Sequence, residues 1–230
     1  MGSFLGVLIR RLPDRRPVAV ARSRCEACGA AIPAWHMLPI ASFLALRGRA
    51  ACCGAPIARA HLGIELAAIG VAAWAASVTG ADPARLWIGC AVGWTLLALG
   101  WIDAERMVLP DGLTLGLLLG GLAEAWAVEP WALFDRSLGA AAGFLLLRGV
   151  AAGYRRLRGR DGLGQGDAKL LAAIGAWTGW QALPMVLLGA ALLGLATALV
   201  RRQKLHAAAV VPFGPALAVA GWLVWLYGLG

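Results

Sequence analysis

The sequence predicts an all-α, polytopic membrane protein with about seven to eight helical spans, the first of them incomplete, and one sizeable polar segment near its start. Three observations carry this. The 230 residues are 60% hydrophobic and only 14% charged, with a mean hydropathy of +0.74, whereas a soluble domain is about half apolar. Runs rich in Ala and Leu recur at about the 20-residue length a helix needs to cross a bilayer. Eleven tryptophans against two tyrosines, with no short alternating segments, fit helices better than a barrel.

The opening run, 1–9, makes a partial first transmembrane helix only about 13 Å long, too short for a hydrocarbon core of about 30 Å. Either the chain begins mid-helix or this piece lies shallow. No basic residue precedes it and no small-residue cleavage site follows, which argues against a signal peptide. Residues 10–61 follow as a polar segment containing cysteines. A transmembrane bundle then occupies 62–230, with apolar stretches at about 62–80, 86–102, 112–128, 137–153, 169–181, 184–200 and 207–229. The two stretches flanking Pro184 nearly merge.

The net charge of +9 invites a nucleic-acid reading, but position explains it. If the spans alternate, all 21 Lys and Arg fall on one side except Arg85 and Arg136, opposite, and Arg148, inside a stretch. The positive-inside rule makes that side cytoplasmic, so 10–61 and the loops near 103–111, 154–168 and 201–206 face the cytoplasm. The basic charge is topology, and no nucleic-acid partner is expected; membrane lipid is.

Four of five cysteines, Cys25, Cys28, Cys52 and Cys53, share the polar segment. In a reducing cytoplasm such a cluster favours metal over disulfides. Cys25-Glu-Ala-Cys28-Gly is half of a zinc knuckle, since two intervening residues let both thiolates reach one tetrahedral ion at about 2.3 Å. The second half, Cys52-Cys53-Gly54, is irregular. Adjacent side chains tend to point apart, and a regular pair would put its first thiolate at position 50, which is Ala50. The expected ligands are therefore Cys25, Cys28, Cys53 and one of Cys52, His36 or His61, in a small zinc-ribbon-like segment; a metal-free fold is the alternative. Cys90 reads as a small packing residue.

The twelve carboxylates are few enough to weigh singly. Asp14, Glu26, Asp82, Glu129 and Asp135 sit in loops and read as solvated. Glu65 and Glu124 lie within apolar runs, where an acid needs a functional or structural partner. Glu65 is near the cytoplasmic end of its run, and Glu124 near the opposite end, where solvation is expected. Asp103 and Asp167 stand apart. Asp103 closes the stretch ending Gly-Trp-Ile, before Leu109-Pro110-Asp111. Asp167 ends Gly162-Leu-Gly-Gln-Gly-Asp167 and opens Ala-Lys-Leu-Leu. Both fall at the cytoplasmic edge, and two intervening helices allow them to meet. Two carboxylates at short range share a proton, so one acts as base on a water while the other acts as acid toward a carbonyl. That is peptide hydrolysis without a nucleophilic side chain or catalytic metal. Gly164 and Gly166 allow close backbone approach by a helix or an extended peptide.

These residues resemble the type IV prepilin peptidases, membrane aspartic proteases, nearly end to end. Gly2-Ser-Phe-Leu-Gly through Pro13 is similar to the family's first-helix exit. Cys25 to Arg49 and Cys53-Gly-Ala-Pro-Ile57 are similar to its zinc segment, and Ile102-Asp103 with Leu109-Pro-Asp111, Gly164-Gln-Gly-Asp167-Ala-Lys169 and Pro212-Phe-Gly-Pro215 to three further blocks. The resemblance implies catalytic roles for Asp103 and Asp167, with Asp111 and Lys169 as motif neighbours. Glu65, Gly164 and Gly166 join them as expected substrate-binding or supporting residues. It also implies a bacterial inner-membrane enzyme that cuts the basic leader from prepilins or type II secretion pseudopilins. Many members then methylate the new N-terminus with S-adenosylmethionine. The sequence departs from the family at Ala50, for an expected cysteine, and at Gly6 and Arg10, for Asn and an aromatic. The rival reading is an ion-coupled transporter with acids as proton relays. That reading predicts inverted repeats and midplane acids, and the sequence has neither.

Overall fold

The computed structural model describes residues 2–14, 24–25, 27–33, 40–159, 164–200 and 212–228. The chain divides into two compact units, Met1–Gly80 and Ala81–Gly230. The sequence reading drew its line at 61/62 instead, assigning the helix that follows to the bundle.

The first unit holds α1 (Gly2–Arg11), α2 (Ala41–Ala45) and α3 (Arg59–Thr79). α1 packs on α3, which draws α3 into this unit. Leu5 and Ile9, one turn apart on α1, are buried, as are Ile64 and Ala68 on α3, a spacing that puts each pair on one face. Between α1 and α3 the described residues form no strands, only two isolated antiparallel bridges, Arg24 with Ala31 and Arg49 with Pro56.

The second unit holds α4 (Pro83–Arg106), α5 (Asp111–Val128), α6 (Leu133–Arg158), α7 (Gln165–Thr178), α8 (Leu183–Val200) and α9 (Gly214–Tyr227). Capping explains the ends of α4. Asp82 accepts from the N–H groups of Ala84 and Arg85 at 3.0 and 3.1 Å, and Pro83 takes the first position, where no donor is needed. At the other end Met107 turns into the left-handed region and its N–H bonds back to the carbonyl of Asp103. Pro110 then precedes α5.

α7 is the hub. It packs against α5, α6 and α9, and nearly every residue from Asp167 to Ala176 is buried. A helix enclosed on all sides carries no polar stripe. The tightest seam is with α6: a Cβ added at Gly139 would lie 2.5 Å from the carbonyl oxygen of Gly175, and one at Gly143 2.8 Å from that of Leu171. Small residues let these two backbones meet.

The seven apolar stretches all appear as helices, with shifted ends. Among the described residues five helices are long and apolar enough to cross a membrane. α7 and α9 have 14 residues each, about 21 Å. α7 starts before the stretch expected at 169–181 and stops early, because Gly179 adopts a positive φ. α6 outruns 137–153 at both ends, since a hydropathy reading stops at Arg155, Arg156 and Arg158, whereas a helix does not. Of the final stretch, 207–211 lies outside the described residues.

Two acids read as solvated are ion-paired. Arg136 donates to Glu124 at 2.6 Å and to Glu129 at 2.8 Å. The only basic side chain of 129–136 is thus shared between two carboxylates. Cys90 is buried, as a packing residue should be.

Candidate active site

Asp103 lies in the last turn of α4 and Asp167 in the first turn of α7, and both are buried, with 6% and 7% of their surface exposed. Each carboxylate is anchored by a backbone donor from another segment or turn. The N–H of Gly214, at the start of α9, donates to Oδ2 of Asp103 at 3.0 Å. The N–H of Gly164, just before α7, donates to the carboxylate of Asp167, and the charge of Asp103 acts directly on that carboxylate. A side chain at position 214 would displace that carboxylate, since an added Cβ would lie 2.5 Å from Oδ2 of Asp103. The loop after α4 closes over the same place. Leu109 packs so tightly on Gly166 that a Cβ there would lie 2.9 Å from Leu109 Cδ1. Asp111 accepts from Lys169 Nζ at 2.5 Å across an exposed ion pair. Such an arrangement offers two carboxyl groups screened from bulk water, near enough for the charge of Asp103 to act on Asp167.

The cysteines form a second constellation in the first unit. All four Sγ atoms lie within 4.8 Å of one another. Cys25 to Cys53 is 3.7 Å, Cys28 to Cys52 3.4 Å and Cys52 to Cys53 3.9 Å. A tetrahedral zinc site with bonds of about 2.3 Å has sulfur edges of about 3.8 Å, so the donor set fits that ion. The expectation that Cys52 and Cys53 point apart is corrected, because that rule belongs to strands and these residues sit in a turn. The turn repeats the first knuckle. Cys25 N–H bonds to Ala30 O and Gly29 N–H to Cys25 O; Ala50 N–H bonds to Ala55 O and Gly54 N–H to Ala50 O. Gly29 and Gly54 take φ of 72° and 70°. Ala50 therefore stands where Cys25 stands, and Cys53 where Cys28 does. Cys52 supplies the thiol missing from position 50. The N–H groups of Cys28 and Ala27 lower the Cys25 thiol to about 6, while the sulfurs of Cys28 and Cys25 push Cys52 up to about 12. His36 lies outside the described residues, and His61 is not in the cluster.

Residues 90–199 match the model of the type IV leader peptidase family, and residues 1–79 that of the bacterial peptidase A24 N-terminal domain. The chain is 39% identical to a prepilin leader peptidase/N-methyltransferase of Aeromonas hydrophila, over 99% of this chain and 87% of that protein. A protein of the same name from Pseudomonas aeruginosa is 37% identical over the same shares. One from Burkholderia pseudomallei (strain K96243) is 42% identical over 94% of this chain and 71% of its own length. The chain belongs to the type IV leader peptidase family. No solved structure matches it.

For a leader peptidase, the remaining residues singled out in the sequence are placed as follows. Glu65 accepts the N–H of Ile40 at 2.7 Å, holding a β-branched residue at a φ of 58°, a conformation such residues avoid. Gly164 and Gly166 are used by the protein itself, as donor to Asp167 and as seat for Leu109. Gly214 is not legible from sequence as a site residue: Pro212-Phe-Gly-Pro215 stands out only as a block, and nothing local says that its glycine reaches an acid 111 positions earlier.

Proposed function

We propose that this chain removes the basic leader of type IV prepilins or type II secretion pseudopilins at the cytoplasmic face of the bacterial inner membrane, with Asp103 and Asp167 as its catalytic pair. The observation that carries this reading is the buried pair itself, each member anchored by a backbone N–H, one in the last turn of α4 and the other in the first turn of α7. One ionised carboxylate takes a proton from a water molecule, whose oxygen attacks the scissile carbonyl carbon. The other, protonated, gives its proton to the carbonyl oxygen. The tetrahedral species then collapses: one of its two hydroxyls returns a proton to the second acid as the C=O re-forms, the C–N bond breaks, and the departing amine takes up the proton held by the first acid. Gly164 and Gly166, the Asp111–Lys169 pair and Glu65 support this site as positioning residues or scaffold.

Cys25, Cys28, Cys52 and Cys53 hold a structural zinc in this reading, and zinc supplies a fixed cross-link there rather than chemistry at the scissile bond. N-methylation of the new terminus, with S-adenosylmethionine as methyl source, is its second half. Membership in a peptidase family leaves the transporter alternative without support.

The test uses purified full chain and a peptide carrying a basic leader followed by an apolar segment, with and without S-adenosylmethionine, the products being weighed. Loss of the leader in both arms, and a mass increase of one methyl group only with S-adenosylmethionine, is the expected result. An intact peptide under conditions where the protein is folded overturns the reading.

A further inference from the structure

Between α4 and α5, which scarcely touch, the structure holds a groove of about 320 Å³. Its walls come from α4, α5 and α7, the three helices that carry Asp103, Asp111 and Asp167. Ile88 and Val92 line it from α4, Leu113 and Leu117 from α5, and Trp177 from α7. The hydrogen-bond donors along it are already used. Thr95 donates its hydroxyl to the carbonyl of Ala91 at 2.8 Å, and Trp177 its indole N–H to that of Leu117 at 2.8 Å, so the groove presents hydrocarbon. Gly112 and Gly116, one turn apart on α5 and therefore on one face, stand exposed along it. A Cβ at either would meet nothing within 4 Å, whereas at Gly121 of the same helix it would lie 2.7 Å from the carbonyl oxygen of Ala176. Glycine inside a helix weakens it relative to alanine, and at 112 and 116 no contact among the described residues asks for it.

The groove also has a direction. Asp111 is paired with Lys169, two positions after Asp167, so Gly112 marks the end nearest the acids. Ile88 marks the other end, about 22 Å along α4 from Asp103, which is past the middle of a hydrocarbon core of about 30 Å. We propose that this groove receives the apolar segment of the substrate, as a helix whose backbone lies against Gly112 and Gly116. The inference rests on the peptidase reading and adds to it the place where the uncut part of the precursor is held. A bond cut at Asp103 and Asp167 leaves an apolar chain that must run from the acids into the membrane, and the groove starts beside the acids and follows that course. Close approach of two helix backbones calls for residues without side chains; a lipid tail in the same place would not.

The experiment uses purified full chain in phosphatidylcholine nanodiscs and the peptide with a basic leader followed by an apolar segment. G116L should raise KM about tenfold and leave kcat little changed, because the contact is lost equally from bound substrate and transition state. The milder G112A/G116A should move KM the same way and by less. G149L places the same side chain on α6, where a Cβ also meets nothing within 4 Å, and should leave both constants as they are. Without any substitution in the enzyme, a peptide bearing a photoreactive leucine analogue in its apolar segment should attach on irradiation within 88–95 or 112–117, as mapped by mass spectrometry. Attachment only to lipid or to other segments overturns the proposal, as does a KM that G116L and G112A/G116A leave unmoved while cleavage proceeds. If the variants fail to fold, the site of attachment in the unaltered chain decides. A folded, unaltered chain that leaves the peptide intact overturns the peptidase reading, and this inference with it.

Discussion

In the proposed mechanism Asp103 and Asp167 divide one proton between two acids, and that division makes both irreplaceable. An Asn at either position still accepts the backbone N–H from Gly214 or Gly164 but exchanges no proton. Asp103→Asn and Asp167→Asn should therefore each abolish leader cleavage, measured by peptide mass, while gel filtration and thermal unfolding stay near those of the unaltered chain. One active single variant would sink the pair. The same division sets the pH dependence. On the acid side both groups carry protons and no base remains; on the alkaline side neither does and no acid remains, so the cleavage rate should pass through a maximum. A rate still climbing at the alkaline end counts against a shared proton. Gly214→Ala tests the anchor, because its methyl group would collide with Oδ2 of Asp103. Misplacing a reacting group by about 1 Å costs on the order of a hundredfold in rate. A drop of that order in kcat, with little change in KM, is the expected outcome.

At the scale of elements, the second cysteine knuckle keeps the backbone turn of the first but takes its sulfur from two positions later. Cys52→Ser should cost most of the bound zinc, measured by elemental analysis of chelator-treated and reloaded protein. Adding Ala50→Cys to it should restore binding, since position 50 repeats the place of Cys25. Failure of that double variant would mean that the turns differ more than their hydrogen bonds do. The α6–α7 seam gives a contrasting test. Gly139→Ala should lower Tm by the equivalent of about 1 to 3 kcal/mol, the cost of overpacking. Gly153→Ala, where an added Cβ meets nothing within 4 Å, should raise stability by roughly 0.5 to 1 kcal/mol, as helical glycine is replaced. These cases mark what the sequence discloses. Apolar runs bounded by Pro and Gly disclosed the helices, and residue type and spacing disclosed both aspartates and the first knuckle. Cys52 was ambiguous because a two-residue offset is decided by a turn, which composition does not describe. The anchor at Gly214, the register of α6 on α7 and the partners of Arg136 depend on which helices become neighbours, a property of the packed chain rather than of any local stretch.

Across the whole molecule the two chemistries are segregated. The thiols belong to Met1–Gly80 and both acids to Ala81–Gly230. Stripping metal with a chelator should therefore leave leader cleavage largely intact and affect methylation more, as followed by product mass before and after zinc is restored. Equal loss of both would show that leader cleavage depends on the metal. The hydrogen bond from Gly214 to Asp103 has a further consequence in time rather than space. On the ribosome α4 is made early and α9 after every other helix of its unit, so Asp103 waits through the synthesis of α5 to α8 without its anchor. A nascent chain lacking α9 thus holds Asp103 without this anchor, and if Asp103 acts as proposed, cleavage competence waits for α9 to be made.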